Sequence, residues 1–149
     1  MKKKTTTGHY HLKAKGLVAF ARGAQLNAYA PYSGFKVGAA LLGKSGRVYT
    51  GCNVENASYG LTCCAERNAV SKAISEGERE FKAIAICSDS PQPTAPCGAC
   101  RQVLHEFNPG MEVIMAGTNL TVKAPLNKLL PLAFGPKSLK SKKTRNKKQ

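Results

Sequence analysis

The 149-residue chain has no tryptophan, 7% aromatic residues and only 8 acidic residues against 23 lysines and arginines, giving a formal net charge of +15. No apolar run approaches the roughly 18–20 residues that cross a bilayer as a helix. Met1-Lys2-Lys3-Lys4 is followed by polar residues, without the apolar core of a secretory signal. A membrane-spanning helix is excluded, and a soluble, unexported, cytoplasmic protein is expected. Internal repeats are also missing, which excludes a repeat array. What is present argues for one folded domain. The 42% apolar composition can fill a core, and a chain of this size buries roughly two thirds of the surface its unfolded form exposes.

The charge excess sits at the ends. It comprises Lys2, Lys3 and Lys4, then Lys137, Lys140, Lys142, Lys143, Arg145, Lys147 and Lys148; residues 5–136 keep 13 basic against 8 acidic residues, or +5. Crowded like charges at a chain end read as solvated, disordered segments, with a nucleic-acid or anionic-surface tether as the other reading. The expected organisation is a flexible basic lead over 1–11, one domain over 12–136 and a disordered basic tail over 137–149.

Six cysteines are spaced unevenly: Cys52, Cys63 and Cys64 in one region, Cys87 alone, then Cys97 and Cys100 as a pair. A reducing compartment disfavours disulfides. The pattern therefore suggests a metal site assembled from two separated segments.

Apolar positions on a broad helical stripe predict a first helix over 12–29, which Ala30-Pro31-Tyr32-Ser33-Gly34 ends with turn chemistry. Residues 35–42 and 47–54 read as antiparallel strands joined by Gly43-Lys44-Ser45-Gly46, whose glycines permit the positive dihedrals of a hairpin turn. A second helix follows over 64–76, ended by Gly77, then a buried strand over 81–87 and a proline-rich loop over 88–96. A third helix spans 98–107, with short strands over 112–116 and, more weakly, 120–122, and a last short helix over 127–132. This alternation predicts an α/β domain with helices on both faces of one sheet.

Two motifs carry chemistry: Cys64-Ala65-Glu66 and Pro96-Cys97-Gly98-Ala99-Cys100, each where a loop enters a helix. Cys97 and Cys100, three apart in a first turn, share a face and can reach one ion, and Cys64 completes three ligands. A helix N-terminus favours the thiolate that a metal needs, and soft sulfur donors in a tetrahedral arrangement point to zinc. Three protein ligands leave a fourth position for water, the pattern of a catalytic zinc site. A closed structural site would need Cys52, Cys63 or His105, and none of them repeats the paired spacing. Glu66 can accept a proton from the water and donate it elsewhere. Residues two apart in a helix point about 200° from each other, so Cys64 must be a cap with non-helical dihedrals if its sulfur and the Glu66 carboxylate are to converge. Zinc with three thiolates is formally negative, and a nearby cation should offset that charge. Arg67, in the same helical turn, is preferred over Arg101. Cys52, Cys63 and Cys87 read as packed thiols, and His9 and His11 as incidental.

The two motifs, with Arg101-Gln102-Val103 after the second, resemble the zinc signature of the cytidine deaminase superfamily, in which zinc activates a water to attack a base and a non-ligating glutamate shuttles protons. The runs 32–40 and 51–59 resemble the small, homotetrameric cytidine deaminases of pyrimidine salvage, and the likeness extends over residues 12–136. It implies a three-layer α/β/α fold with a mixed central sheet of about five strands. It also implies zinc held by Cys64, Cys97 and Cys100, catalysis by Glu66, and deamination of cytidine and deoxycytidine. Asn53 and Glu55 would meet ribose hydroxyls, and Ala65 would offer backbone groups to the pyrimidine edge. Phe35 would pack on the base, and Phe134 would reach it from a neighbouring subunit. The blander roles are a strand-end turn for Asn53 and Glu55 and core packing for Phe35 and Phe134. Cysteine at the first ligand position, where nucleic-acid editing enzymes typically carry histidine, favours a free nucleoside. Nucleic acid is then left with at most weak contact through the basic tails. The rivals are a deaminase of another small substrate or of RNA, and a non-enzymatic zinc module whose salt-dependent nucleic-acid binding would survive Glu66→Ala.

Overall fold

The computed structural model describes residues 14–139. In chain order these residues form α1 (Ala14–Gln25), β1 (Val37–Gly43), β2 (Val48–Cys52), α2 (Ala65–Ser75), β3 (Phe81–Ser88), α3 (Gly98–Phe107), β4 (Glu112–Ala116), β5 (Thr121–Pro125) and α4 (Leu126–Leu129). Short 3-10 turns occupy Tyr59–Leu61 and Pro136–Leu139. The strands make one mixed sheet in the order β2-β1-β3-β4-β5. Only β3 and β4 pair in parallel, because α3 carries the chain back between them while shorter connections serve the antiparallel pairs.

Strand alternation divides the core into two layers. Val37, Ala39 and Leu41 of β1 join Ile84 and Ile86 of β3 beneath Ala69, Val70, Ala73 and Leu104 of α2 and α3. Ala40, Ala83, Ala85 and Cys87 turn the other way, onto Leu17 and Ala21 of α1. The sheet is thus sandwiched between α1 and the α2–α3 layer. Burial of Ile84 and Ile86, both 0% exposed, contributes roughly 1.5–3 kcal/mol for each side chain. Gly51 in β2 decides how closely α2 can approach: a Cβ there would lie 2.5 Å from Ala65 O and 2.5 Å from Ala69 N. The first turn of α2, with its chemistry, therefore lies directly on the sheet.

Several element boundaries differ from the sequence expectation. The first helix ends at Gln25, short of 29, because Leu26 faces solvent and the Tyr29 N–H donates to Asn53 O at 3.0 Å; the part over 12–13 lies outside the described residues. In the hairpin only Gly46 takes a positive φ, at 90°, while Gly43 remains in β1 and its N–H donates to Arg47 O. The weak strand over 120–122 is a full edge strand to Pro125, whose mostly exposed side chains give little hydrophobic signal. The last helix ends at Leu129, not 132, since Pro131 drives Leu130 toward extended dihedrals (φ −137°, ψ 73°). At the C-terminal side, Lys137, Ser138 and Leu139 belong to the turn Pro136–Leu139, closed by Ser138 N–H to Gly135 O at 2.8 Å. The basic lead over 1–11 and the tail beyond residue 139 lie outside the described residues.

Candidate metal centre and active site

Cys64 and Cys97 each cap a helix with extended dihedrals, φ −70° and ψ 155° for Cys64 and φ −65° and ψ 166° for Cys97. The geometric condition on Cys64 is therefore met. Its carbonyl accepts the Asn68 N–H and that of Cys97 accepts the Arg101 N–H, leaving both sulfurs free to turn toward the helix N-termini. Cys100, one turn into α3, is fully buried. The three sulfurs lie within 4.8 Å of one another, and Cys64 and Cys97 are 3.9 Å apart. Sulfurs bound to one tetrahedral zinc at about 2.3 Å would lie about 3.8 Å apart, so the donor set fits zinc in both chemistry and spacing. Among the described residues no other group of three or more His, Cys, Asp or Glu comes together in this way. Cys52 instead approaches Asn27 O, Cys87 is buried against Val18 O under α1, and Cys63 bridges its backbone to Val54. None of these thiols, nor His105, joins the cluster.

Electrostatics favour the thiolate at Cys64. The Cys64 thiol is pulled down to about 5, first by a hydrogen bond from the Cys100 thiol and further by the Arg67 guanidinium. Cys100 is pushed up because it keeps the proton it donates and is buried. The Nη2 atom of Arg67 lies 3.9 Å from Cys64 Sγ and donates to Thr62 O at 2.8 Å. Arg101 turns away, to the carbonyls of Pro96 and Leu129, so Arg67 is the cation in contact with sulfur. Glu66 is 4% exposed, and this burial, aided by the neighbouring Cys64 charge, lifts its carboxyl above the usual range. A carboxyl raised in this way holds a proton more readily than an exposed one, which suits a group that must both take and give a proton.

Thr62 also lines a cleft of about 360 Å³ with Tyr32, Ser33, Glu55 and Tyr59. Larger grooves of about 410 Å³, past Phe20 and Thr50, and about 380 Å³, past Arg22 and Asp89, run beside α1, but the smaller cleft is the one joined to the metal centre, through Thr62, whose carbonyl accepts from Arg67. Glu55 accepts from the backbone N–H groups of Tyr32 (2.9 Å) and Ser33 (3.2 Å) and from the Ser33 hydroxyl. Those bonds, led by the hydroxyl, hold its carboxyl below the ordinary value. Asn53 is nearly buried: its Oδ1 accepts the Val37 N–H and its Nδ2 donates to Phe35 O, both at 2.8 Å. It thereby pins the backbone on both sides of Lys36 and sets Phe35, 43% exposed, at its place before β1. Ala65 is fully buried, and Phe134 is exposed in the segment after α4.

The family model of the cytidine and deoxycytidylate deaminase zinc-binding region matches residues 13–117. The chain belongs to this deaminase family. It is 48% identical over 125 residues to a cytidine deaminase of Sporosarcina psychrophila, covering 83% of this chain and 92% of that one. A cytidine deaminase of Halalkalibacterium halodurans is 51% identical over 121 residues, 79% of this chain and 91% of the relative. Among solved structures, the cytidine deaminase of Burkholderia pseudomallei superposes with a TM-score of 0.80 at 48% identity, covering 82% of this chain and 99% of its own. That of Mycobacterium tuberculosis gives 0.72 at 44% identity, covering 81% and 96%. The mixed α/β sheet is therefore the fold of these deaminases, and zinc is the metal of the family's defining region.

In this deaminase, sequence reasoning missed the part of the cleft made by Ser33, Tyr32, Tyr59 and Thr62. Tyr32-Ser33-Gly34 reads as a helix-ending turn and as part of the run 32–40 that resembles the family, but neither reading gives Tyr32 or Ser33 a place in the cleft. Its available signal was a hydroxyl beside a chain reversal, with the carboxylate it meets 22 residues away. The Arg67 contact is testable in isolation. Arg67→Gln is expected to lower kcat or zinc affinity by about 10–100-fold, the usual cost of losing a partner that supports a metal ligand. Steady-state kinetics with zinc titration would measure it, and wild-type values in both would remove Arg67 from the centre.

Proposed function

We propose that the chain catalyses hydrolytic deamination of cytidine and deoxycytidine, taking up water and releasing uridine or deoxyuridine and ammonia. The observation that carries this reading is Glu66, 4% exposed in the first turn of α2, beside three sulfurs within 4.8 Å of one another. Zinc held by Cys64, Cys97 and Cys100 supplies, when bound, the acidification that makes a water nucleophilic at neutral pH. Glu66 takes the proton of the attacking water and delivers it to N3 of the pyrimidine, which makes C4 electrophilic. It then takes the proton of the new C4 hydroxyl and passes it to the amine, which departs as ammonia as the C4 carbonyl forms. Arg67 offsets the negative charge of the thiolates.

The remaining residues hold the nucleoside. Ala65, without bulk at the start of α2, leaves its backbone groups to the pyrimidine edge, and Phe35 packs on the ring. Glu55, ionised and open to the cleft, accepts from a ribose hydroxyl, and Asn53 adds the amide proton and lone pair left over after its two backbone bonds. Phe134, 59% exposed in the single chain, reaches the base from a neighbouring copy in a homotetramer. The setting is cytoplasmic pyrimidine salvage, with free nucleosides rather than nucleic acid as substrate.

An ultraviolet assay with cytidine, deoxycytidine, cytosine and an RNA oligonucleotide, paired with zinc analysis, tests this. Both nucleosides should be converted, cytosine and RNA should not, and zinc should be near one per chain. Preferential turnover of the oligonucleotide would overturn the substrate assignment. Failure on both nucleosides at full zinc occupancy would overturn the activity.

A further inference from the structure

The segment that carries Phe134 is tied to the helix that carries Cys97 and Cys100. Arg101 donates from Nη1 to Leu129 O at 2.6 Å, at the end of α4, and from Nε to Pro96 O at 2.7 Å, the carbonyl just before Cys97. The next residue, Gln102, donates from Nε2 to Phe134 O at 2.9 Å. One helical turn after Arg101, His105 faces Gly135, where a Cβ would stand 3.1 Å from His105 Cε1. The stretch 129–134 is thus anchored at both ends by consecutive side chains of α3.

Between these anchors the backbone does not hold itself. Leu132 takes a left-handed φ of 54° while its side chain is 104% exposed. A non-glycine residue in that region persists only where its surroundings impose it, and a side chain that buries nothing supplies no compensation of its own. The pair of ties from α3 holds the two ends of the segment in which Leu132 lies. The guanidinium is suited to the first of them, because its fixed fork can reach two carbonyls in different directions at once, which a lysine ammonium on a flexible stem does not reproduce.

We infer that Arg101 and Gln102 are positioning residues that fix the Phe134 backbone to α3 and so set where its ring is offered to the neighbouring copy's site, an inference that rests on the reading of Phe134 as a contact to the base. Through Arg101 the loop before Cys97 and the end of α4 share one anchor. Through Gln102 the backbone of Phe134 itself is fixed to the same helix. The ring is then presented from a fixed place on its own chain, which matters for a side chain that must meet a substrate held by another copy.

The test uses steady-state cytidine kinetics, zinc content and sedimentation of the full chain carrying Gln102→Met, Gln102→Lys, Arg101→Lys, Phe134→Ala or Gln102→Met with Phe134→Ala. Phe134→Ala should raise KM about fivefold or more, the low end of what loss of an aromatic stack on a base costs. Gln102→Met should raise KM by about threefold or more with kcat, zinc content and assembly unchanged, and should add nothing in the Phe134→Ala background, since the two act as one unit. Gln102→Lys, which keeps a donor, should recover most of the loss. Arg101→Lys should raise KM as well. A wild-type KM in Gln102→Met beside a raised one in Phe134→Ala overturns the tie and leaves the base contact standing. A wild-type KM in Phe134→Ala overturns the base contact and the inference with it. An equal Gln102→Met effect with and without the ring, or a fall in melting temperature alone, also overturns the inference.

Discussion

Glu66→Gln should lower cytidine turnover by about 10⁴-fold, the upper end for loss of a general acid–base group, because in the proposed mechanism the same carboxylate serves proton transfers at water, ring nitrogen and leaving amine. Zinc should remain near one per chain, since the three sulfurs do not include this residue. The folded state should be no less stable. At 4% exposure the ionised carboxylate lacks water around it, and burial is the leading cause of its raised pKa. The neutral amide of nearly the same shape removes that desolvation cost. A site that trades stability for function predicts this opposition of effects. Ultraviolet turnover, zinc analysis and thermal melting on one preparation decide it. Uridine production above about a tenth of wild type would remove Glu66 from proton transfer, and loss of zinc would mean that it acts on the metal instead.

That glutamate was legible in the sequence because its information is local. Cys64-Ala65-Glu66 and the Cys97–Cys100 spacing describe single helical turns, and the rules of helix entry turn spacing into direction. Arg67 was legible for the same reason, one residue further along. The alternation of strand and helix likewise followed from periodicity, with the two core layers divided along β1 and β3. Features that depend on distant partners were not readable. Nothing near Asn53 announces that its amide would bind the backbone at Phe35 and Val37, and nothing near Glu55 announces Ser33. Those partners meet only once β1 lies beside β2. Edge strand β5 was underestimated because its register with β4 is written in backbone bonds, which side-chain patterning does not record. Arg101 illustrates the limit from the other side: its neighbour Cys100 made it a candidate for the thiolates, yet the carbonyls of Pro96 and Leu129 claim it.

Cys100→Ser should abolish both zinc retention and turnover, and its effect on stability should separate the metal from the packing. A serine nearly preserves the volume of this fully buried side chain, so little cavity cost is added, but its hydroxyl is a poor ligand where zinc favours thiolate. If zinc binding stabilises the fold, the variant should melt at the temperature of wild-type protein stripped by a chelator, and further chelator should not lower it. The stripped domain should still fold, because the layers around Ile84, Ile86 and Leu17 include none of the three ligands. Acid should mimic the substitution in wild type. Ligand thiolates must be deprotonated to bind, so falling pH favours zinc release. Full zinc content in Cys100→Ser would place the metal elsewhere. A melting temperature well below that of the stripped wild type would instead assign Cys100 a packing role larger than its role as a ligand.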